Sequence, residues 1–427
     1  MKKLLSILLV SCLCLSIVGC GKNVDNSAKE EVVAEEVTDS TEDAVSDEIV
    51  EEVLEDVENA EVEEVEIVEE AKEEEPAEEF VSDRSEVFCL LSNITAGWNL
   101  GNTFDAWGAG NSVSAETYWG NPQVTKEMID AIKEQGFNSI RIPITYAEHV
   151  GEAPDYIIDQ AWLDRVKEVV DYAVADDMYI IIDTHHETDK WLVLDSGNDD
   201  AMKAELAAIW TQVAETFKDY DEKLIFEGMN EPRSKGSEKE WQGGTEEERV
   251  LVNEMNQIFV DTVRATGGNN ESRVLVICPY GNSTNMKALK ELAIPEDNNI
   301  AVAIHMYTPY VFTYVPNGQT SVEVWNGTLK PDIVNTVKML NDYFIKKDVP
   351  VIITEYGAEN KGNEEEIVKW LTDYIEAMNK YDIKCYWWDN GYLGGNNNEK
   401  FAIFDRETLT WVMPKVADTL IDLTKGE

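Results

Sequence analysis

Two glutamates in this chain stand where an apolar run stops. The stretch Leu224-Ile225-Phe226-Glu227-Gly228-Met229-Asn230-Glu231-Pro232 ends in an amide, a carboxylate and a proline. An apolar run of this length bounded by Gly and Pro fits a strand covered on both faces. Pro232 cannot continue the ladder, which puts Asn230 and Glu231 at the strand's C-terminal mouth. Glu355, in Thr354-Glu355-Tyr356-Gly357, closes a second such run. Paired carboxyls in apolar surroundings suit cleavage of a glycosidic bond, where one acid protonates the leaving oxygen and one carboxylate attacks or activates water. Their proton affinities must be pushed apart. An apolar wall and a neighbouring carboxylate would keep one protonated, while Arg141 and a tyrosine hydroxyl would keep the other ionised. The acid role thus predicts a raised proton affinity at Glu231. A carboxyl separation of about 5–5.5 Å would fit retention of configuration, and about 6.5–9.5 Å inversion.

Placing both glutamates in one site requires a fold that gathers strand ends. The chain has 427 residues, 43% of them hydrophobic, enough for a sizeable core. Beyond about Ser85, β-type runs alternate with stretches at helical period. Strands are predicted over Thr95–Leu100, Asn138–Ile142, Tyr179–Asp183, Lys223–Gly228, Arg273–Cys278, Ile300–Ala303, Pro350–Thr354 and Lys384–Trp388. Helices are predicted over Val124–Gln135, Ala161–Ala175, Met202–Phe217, Glu247–Thr266, Ile333–Lys346, Glu365–Lys380 and Val412–Leu423. About eight β/α units are the rhythm of a (β/α)8 TIM barrel with enlarged loops, an α/β fold. A doubly wound open sheet is the alternative; it would want a Gly-rich phosphate turn, and Gly97-Trp98-Asn99-Leu100-Gly101-Asn102 lacks that spacing. No cofactor site is visible. Unusual polar residues follow the strands almost one by one: Asn102, Asp105 and Trp107, then Arg141, then Asp183 to Glu187, Asn230 and Glu231, His305 and Tyr307, Glu355, and Trp388 with Asp389.

The remainder of the chain is attached to this domain rather than part of it. Met1-Lys2-Lys3, the apolar run Leu4 to Val18 and Gly19-Cys20 form a secretory signal, too short in its apolar part for a comfortable membrane span. Ile17-Val18-Gly19-Cys20 resembles the lipobox of bacterial lipoproteins. That implies a signal peptide over 1–19, acylation of Cys20 and an exported catalytic domain held at the cell surface by a lipid anchor; simple secretion and an uncleaved anchor are the alternatives. Residues 20–84 are a Glu/Asp/Val/Ala tract with roughly half of the chain's net charge of -50, predicted to be a disordered linker that swells by self-repulsion. The domain proper spans 85–427. With Lys and Arg outnumbered 35 to 85 by Asp and Glu, nucleic acid is excluded as a partner. Cys89, Cys278 and Cys385, the cysteines beyond the leader, are too few and too widely spaced for a disulfide framework or a metal site and are expected to be small buried hydrophobes.

The ordered set Gly97-Trp98-Asn99-Leu100-Gly101-Asn102-Thr103, Arg141-Ile142-Pro143, Asn230-Glu231-Pro232, His305-Met306-Tyr307 and Glu355-Tyr356-Gly357 resembles glycoside hydrolase family 5, the cellulase family of clan A, from about Asn93 to the C-terminus. The first motif is most similar to subfamily 4, whose members cleave β-1,4-glucans. The resemblance implies a cofactor-free, monomeric endo-β-1,4-glucanase acting on β-glucan polysaccharide. It implies Glu231 as general acid/base and Glu355 as nucleophile of a retaining double displacement, with Asn230 on the sugar 2-hydroxyl. Arg141 and Tyr307 would orient the nucleophile, His185 and His305 match the family's histidines, and Trp388 is the stacking floor. A xyloglucanase or mannanase of the same fold, or a catalytically silent carbohydrate-binding lipoprotein, are the rival readings.

His185 and His186 beside Asp183 raise the question of a metal-dependent barrel hydrolase. Adjacent histidines on a strand end are expected to point to opposite sides, so no metal site is expected. Trp107, Trp119, Trp191, Trp241 and Trp325 fall in or beside βα loops and suggest a long groove lined by rings, with Thr308 to Lys330 as one wall.

Overall fold

The computed structural model describes residues 84–314, 320–394 and 399–425. The expected leader at 1–19, Cys20 and the linker as far as residue 83 lie outside the described residues. Eight parallel strands close into a barrel in sequence order: β1 (Gly97–Leu100), β2 (Ser139–Ile142), β3 (Tyr179–Asp183), β4 (Leu224–Glu227), β5 (Leu275–Ile277), β6 (Ile300–His305), β7 (Val351–Tyr356) and β8 (Lys384–Asp389). Each coincides with a predicted strand, within a few residues at its ends. All of β1 to β7 is buried along its whole length, as strands sandwiched between a filled barrel and an outer helical layer must be.

The helices are α1 (Glu86–Ser92), α2 (Lys126–Gln135), α3 (Gln160–Ala175), α4 (Asp199–Phe217), α5 (Glu246–Ala265), α6 (Met286–Glu291), α7 (Tyr310–Thr313), α8 (Lys330–Tyr343), α9 (Glu364–Asn379) and α10 (Pro414–Thr424). Sequence reading finds the long ones and misses α1, α6 and α7, which are too short to show a helical period. It also misses a two-stranded antiparallel ribbon, β9 (Phe404–Asp405) with β10 (Thr410–Trp411). The entry to α5 shows how a loop is stopped at a defined residue. Thr245 Oγ1 accepts from Glu248 N at 3.2 Å and the Glu248 carboxylate accepts from Thr245 N at 2.5 Å, a capping box that satisfies two otherwise orphaned donors.

The floor of the barrel explains the first glycine of the β1 motif. A Cβ on Gly97 would lie 2.5 Å from the Tyr386 ring, whose hydroxyl passes over β1 to meet Ser139 Oγ of β2 at 2.5 Å. Only a residue without a side chain lets β1 pass that ring. Cys278 and Cys385 are buried as expected, whereas Cys89 is exposed on α1, because Val87, Phe88 and Leu91 form that helix's buried face.

Closure between β1 and β8 (Gly97↔Tyr386, Asn99↔Trp388) is reinforced at the mouth by a buried ion pair. Arg406 donates to Gly101 O (2.8 Å), Thr103 Oγ1 (2.8 Å), Asp389 O (2.6 Å) and Asp389 Oδ1 (3.1 Å). Asp389 also accepts from the backbone N–H groups of Gly391, Ile403 and Phe404, so it pins the β8 loop as well. Arg406→Ala leaves the Asp389 charge buried without its partner, and urea denaturation should show a loss of about 3–5 kcal/mol. A loss below about 1 kcal/mol would show that the pair does not hold the seam.

Candidate active site

Arg141, the third residue of β2, reaches the barrel mouth with a fully buried guanidinium. Its Nε donates to Glu227 Oε2 at 2.6 Å. Nη2 donates to Asp183 Oδ2 at 2.6 Å and Asn230 Oδ1 at 2.8 Å, and Nη1 to Asn99 Oδ1 at 3.1 Å and Glu355 Oε1 at 2.9 Å. Burial alone would favour losing the proton. Glu227, Asp183 and Glu355 outweigh it and raise the proton affinity of Arg141 above its ordinary value.

The next cation in the site is His185. Its Nδ1 lies 2.8 Å from Asp183 Oδ2, and its Nε2 faces Asn230 Nδ2 at 3.5 Å and Glu355 Oε1 at 3.9 Å. Burial works against the charged ring, but Asp183 and Asp105 push its pKa up to about 9. Burial raises Asp183, and Arg141, His185 and the Ile144 N–H at 2.9 Å reverse this and hold it below the usual carboxylate range.

Glu355 sits within β7, 6% exposed, with Oε1 on Arg141 and Oε2 accepting from Tyr307 Oη at 3.1 Å. Burial, then Glu355 and Glu231, drive the Tyr307 hydroxyl well above its ordinary pKa, so it stays a donor. Glu231 lies beyond the end of β4, on a residue with φ +46°, its N–H held by Asn282 Oδ1 at 2.8 Å. One oxygen meets His305 Nδ1 at 2.9 Å and the other Arg233 Nη1 at 2.7 Å. His305 Nδ1 is also 3.4 Å from Glu355 Oε2, and ligand atoms of Glu231, His305 and Glu355 all lie within 4.8 Å of one another. The two carboxyls are thus on the short side of the two separations considered, the geometry of retention.

One expectation is reversed here. Burial would raise the proton affinity of Glu231, but Arg233 and His305 outweigh it and hold the carboxyl below the usual range. Arg233 follows immediately after the motif, and an arginine in a loop has no sequence mark that distinguishes a buried partner from a solvated one.

Two rings stack at the centre: Trp388 lies on His185 with ring centroids 5.8 Å apart and planes at 6°. A second run leads away from it, with Trp119 5.4 Å from His186 and 6.2 Å from Trp107, over which Lys190 lies at 4.3 Å. Asp105 is fully buried and accepts from Asn102 N (3.0 Å) and Thr103 N (2.6 Å), so it shapes the β1 loop that carries Asn102 and Trp107. Asn102 is itself largely buried, with its carbonyl taken by Asn121 Nδ2 at 2.8 Å. Trp241 is 45% exposed beside Arg233. Trp325 is not a groove ring: it is buried against Phe312, with Nε1 donating to Asp373 of α9 at 2.7 Å, and Phe312 is buried too.

The histidine geometry also departs from expectation. His185, His186 and Asp105 offer ligand atoms within 4.8 Å of one another, and the two rings meet edge to face at 4.5 Å. β3 ends at Asp183, and His185 has helical φ/ψ at the start of a 3-10 turn, so strand alternation no longer governs the pair.

A closed (β/α)8 barrel whose mouth holds two close carboxyls, each paired with its own arginine, defines a two-carboxylate barrel hydrolase. The family model for cellulase (glycosyl hydrolase family 5) matches residues 101–394, and the chain belongs to glycoside hydrolase family 5. Endoglucanase A of Ruminococcus albus is 51% identical over 338 residues, which are 79% of this chain and 92% of that protein. Among solved structures, a GH5 xyloglucan-specific endo-β-1,4-glucanase from a metagenomic library, in complex with cellotriose, superposes with a TM-score of 0.78. It is 57% identical, over 80% of this chain and 99% of that one. A GH5-4 broad specificity endoglucanase from Ruminococcus champanellensis with bound cellotriose gives a TM-score of 0.76 at 41% identity, over 79% and 99% of the two chains. The likeness to GH5-4 enzymes agrees with the subfamily 4 wording of the first motif.

The charge on His185 links the site to stability. Its folded pKa of about 9 lies above the ordinary value of 6.5. The stabilisation it contributes is therefore complete below about pH 6.5 and is lost as the pH rises through 9. Urea midpoints of the native protein should fall between pH 7 and 9, and fall less in His185→Gln; equal slopes in the two proteins would refute the assignment.

Proposed function

We propose that this chain is a retaining endo-β-1,4-glucanase, the activity that its relatives' names carry. The observation that supports this most directly is the pair Glu231 and Glu355, brought together across His305 while each keeps its own arginine. Glu231 in its acid form gives its proton to the glycosidic oxygen as the bond to C1 breaks, and the Glu355 carboxylate bonds to C1 on the opposite face. Water then attacks C1, Glu231 takes the water proton, and Glu355 leaves with its electron pair.

The other side chains fit that cycle. Arg141 and Tyr307 fix both oxygens of Glu355, so the nucleophile is aimed without rotamer search. Asn230, oriented by Arg141, would bond the sugar 2-hydroxyl, a contact that strengthens as oxocarbenium character grows. Trp388, braced on His185, offers a ring face to the apolar face of the sugar. Asn102, Asp105 and Trp107 would act through the β1 loop, with Trp107 the one that can touch a sugar. His305, whose Nδ1 meets both carboxyls, would orient the two.

The 57% identity to a xyloglucan-specific enzyme favours a decorated β-1,4-glucan among the substrates. We further propose, from Ile17-Val18-Gly19-Cys20 alone, that the mature protein is exported and held at the cell membrane by acylation of Cys20.

A panel of carboxymethylcellulose, mixed-linkage glucan, xyloglucan and mannan, scored for reducing ends, tests the substrate class. Glu355→Gln should abolish turnover of polymer and of activated aryl cellobiosides alike. Glu231→Gln should lose about 10²–10⁴-fold on polymer, yet still release a good aryl leaving group. Fresh product should be the β-anomer by NMR. Wild-type rates for either variant on polymer, or an α-anomer, would overturn the reading.

A further inference from the structure

Arg141 serves Glu355, and a second arginine serves Glu231. Arg233 lies two residues beyond Glu231 with a side chain 11% exposed; its Nη1 donates to the Glu231 carboxylate (2.7 Å) and to the Glu231 carbonyl (3.1 Å). Its Nε donates to Glu240 Oε1 at 3.1 Å, and its plane lies 4.8 Å over Trp241. Glu240 is fixed in turn, because its second oxygen accepts from Gly236 N at 2.7 Å. One guanidinium is therefore shared between a reacting carboxyl and a non-reacting one on the same loop. The other groups facing Glu231 come from neighbouring elements: His305 and Tyr307 at the end of β6, Glu355 from β7, His185 from the β3 loop and the Cys278 thiol beyond β5. Asp189, in a salt bridge to Lys235, and Tyr280 face Arg233.

We propose that Arg233 is a positioning residue that sets the proton affinity of Glu231 and biases it toward its base role, with Glu240 moderating the effect by holding part of the guanidinium. The inference rests on the glucanase reading above. Glu231 must carry a proton at the start of the first half-reaction and none at the start of the second. Once its proton has passed to the departing sugar oxygen, Arg233 faces the new carboxylate at ion-pair distance and stabilises it. That favours proton delivery in the first step and keeps a base ready to take the water proton in the second. The cost is a smaller protonated fraction at the outset, so the alkaline limb of activity sits at lower pH than it would without Arg233.

The test is the pH profile of kcat/KM on a cello-oligosaccharide, whose poor leaving group needs the acid, for the full chain. Arg233→Gln should move the alkaline limb upward by about 1–3 pH units, and Arg233→Lys should stay close to wild type. Glu240→Gln should move the limb the other way, because the guanidinium is no longer shared; this variant keeps the test open should Arg233→Gln fold poorly. On a dinitrophenyl cellobioside, which needs no acid for glycosylation, none of the limbs reporting that step should move. Lower activity or stability with an unmoved limb in Arg233→Gln and Glu240→Gln would assign these residues a structural role and overturn the proposal. A wild-type protein that cleaves no glucan would instead overturn the reading on which it rests.

Discussion

The site depends on a charge that the barrel would not hold unaided. The Arg141 guanidinium has no exposed surface, and such burial is unfavourable unless every N–H finds an acceptor and the charge finds counter-ions. Here Asn99 of β1, Asp183 of β3, Glu227 of β4, Asn230 beyond it and Glu355 of β7 provide them. One side chain therefore ties the ends of five strands, its own included. Moving any of those ends by about an ångström leaves a buried charge short of a partner, which is why Glu355 is held still at the barrel mouth.

A single arginine does not balance the acids around it. Asp183, Glu227 and Glu355 all touch it, and the His185 ring, drawn to about 9 by Asp183 and Asp105 against its own burial, supplies further positive charge. Glu227 absorbs part of the remainder: burial raises its proton affinity, and the pull of Arg141 does not fully reverse that. Charge in the site is thus distributed over several buried groups, and Glu231 and Glu355 inherit different surroundings from it.

Much of this was legible in the sequence, because barrel strands buried on both faces read as apolar runs and their polar residues cluster at one end. The strand ends at Arg141, Asn230 and Glu355 follow from that pattern alone. What escaped has a common physical cause: it depends on contacts between segments far apart in the chain. Arg406 closes the β1–β8 seam from 305 residues beyond Gly101, and a lone arginine in a loop carries no sign of that. Glu227 looks like one polar residue in a strand, and its ion pair with Arg141 spans 86 positions. Trp325 turns inward onto Phe312 because Asp373 of α9 offers its indole N–H an acceptor. His185 and His186 converge because β3 ends at Asp183, before either histidine, and the chain turns into a 3-10 segment where strand alternation no longer holds.

The contrast between the two glutamates has a backbone origin. Glu355 is on β7 itself, in extended conformation, and moves only with the barrel. Glu231 sits past the strand at φ +46°, a conformation that costs a non-glycine residue on the order of 1–3 kcal/mol and persists where its surroundings over-determine it. Asn282 holds its N–H, and Arg233 holds both its carbonyl and its carboxylate. Asn282 and Arg233 lie in the connections beyond β5 and β4, so Glu231 is positioned by loops while Glu355 is positioned by the sheet.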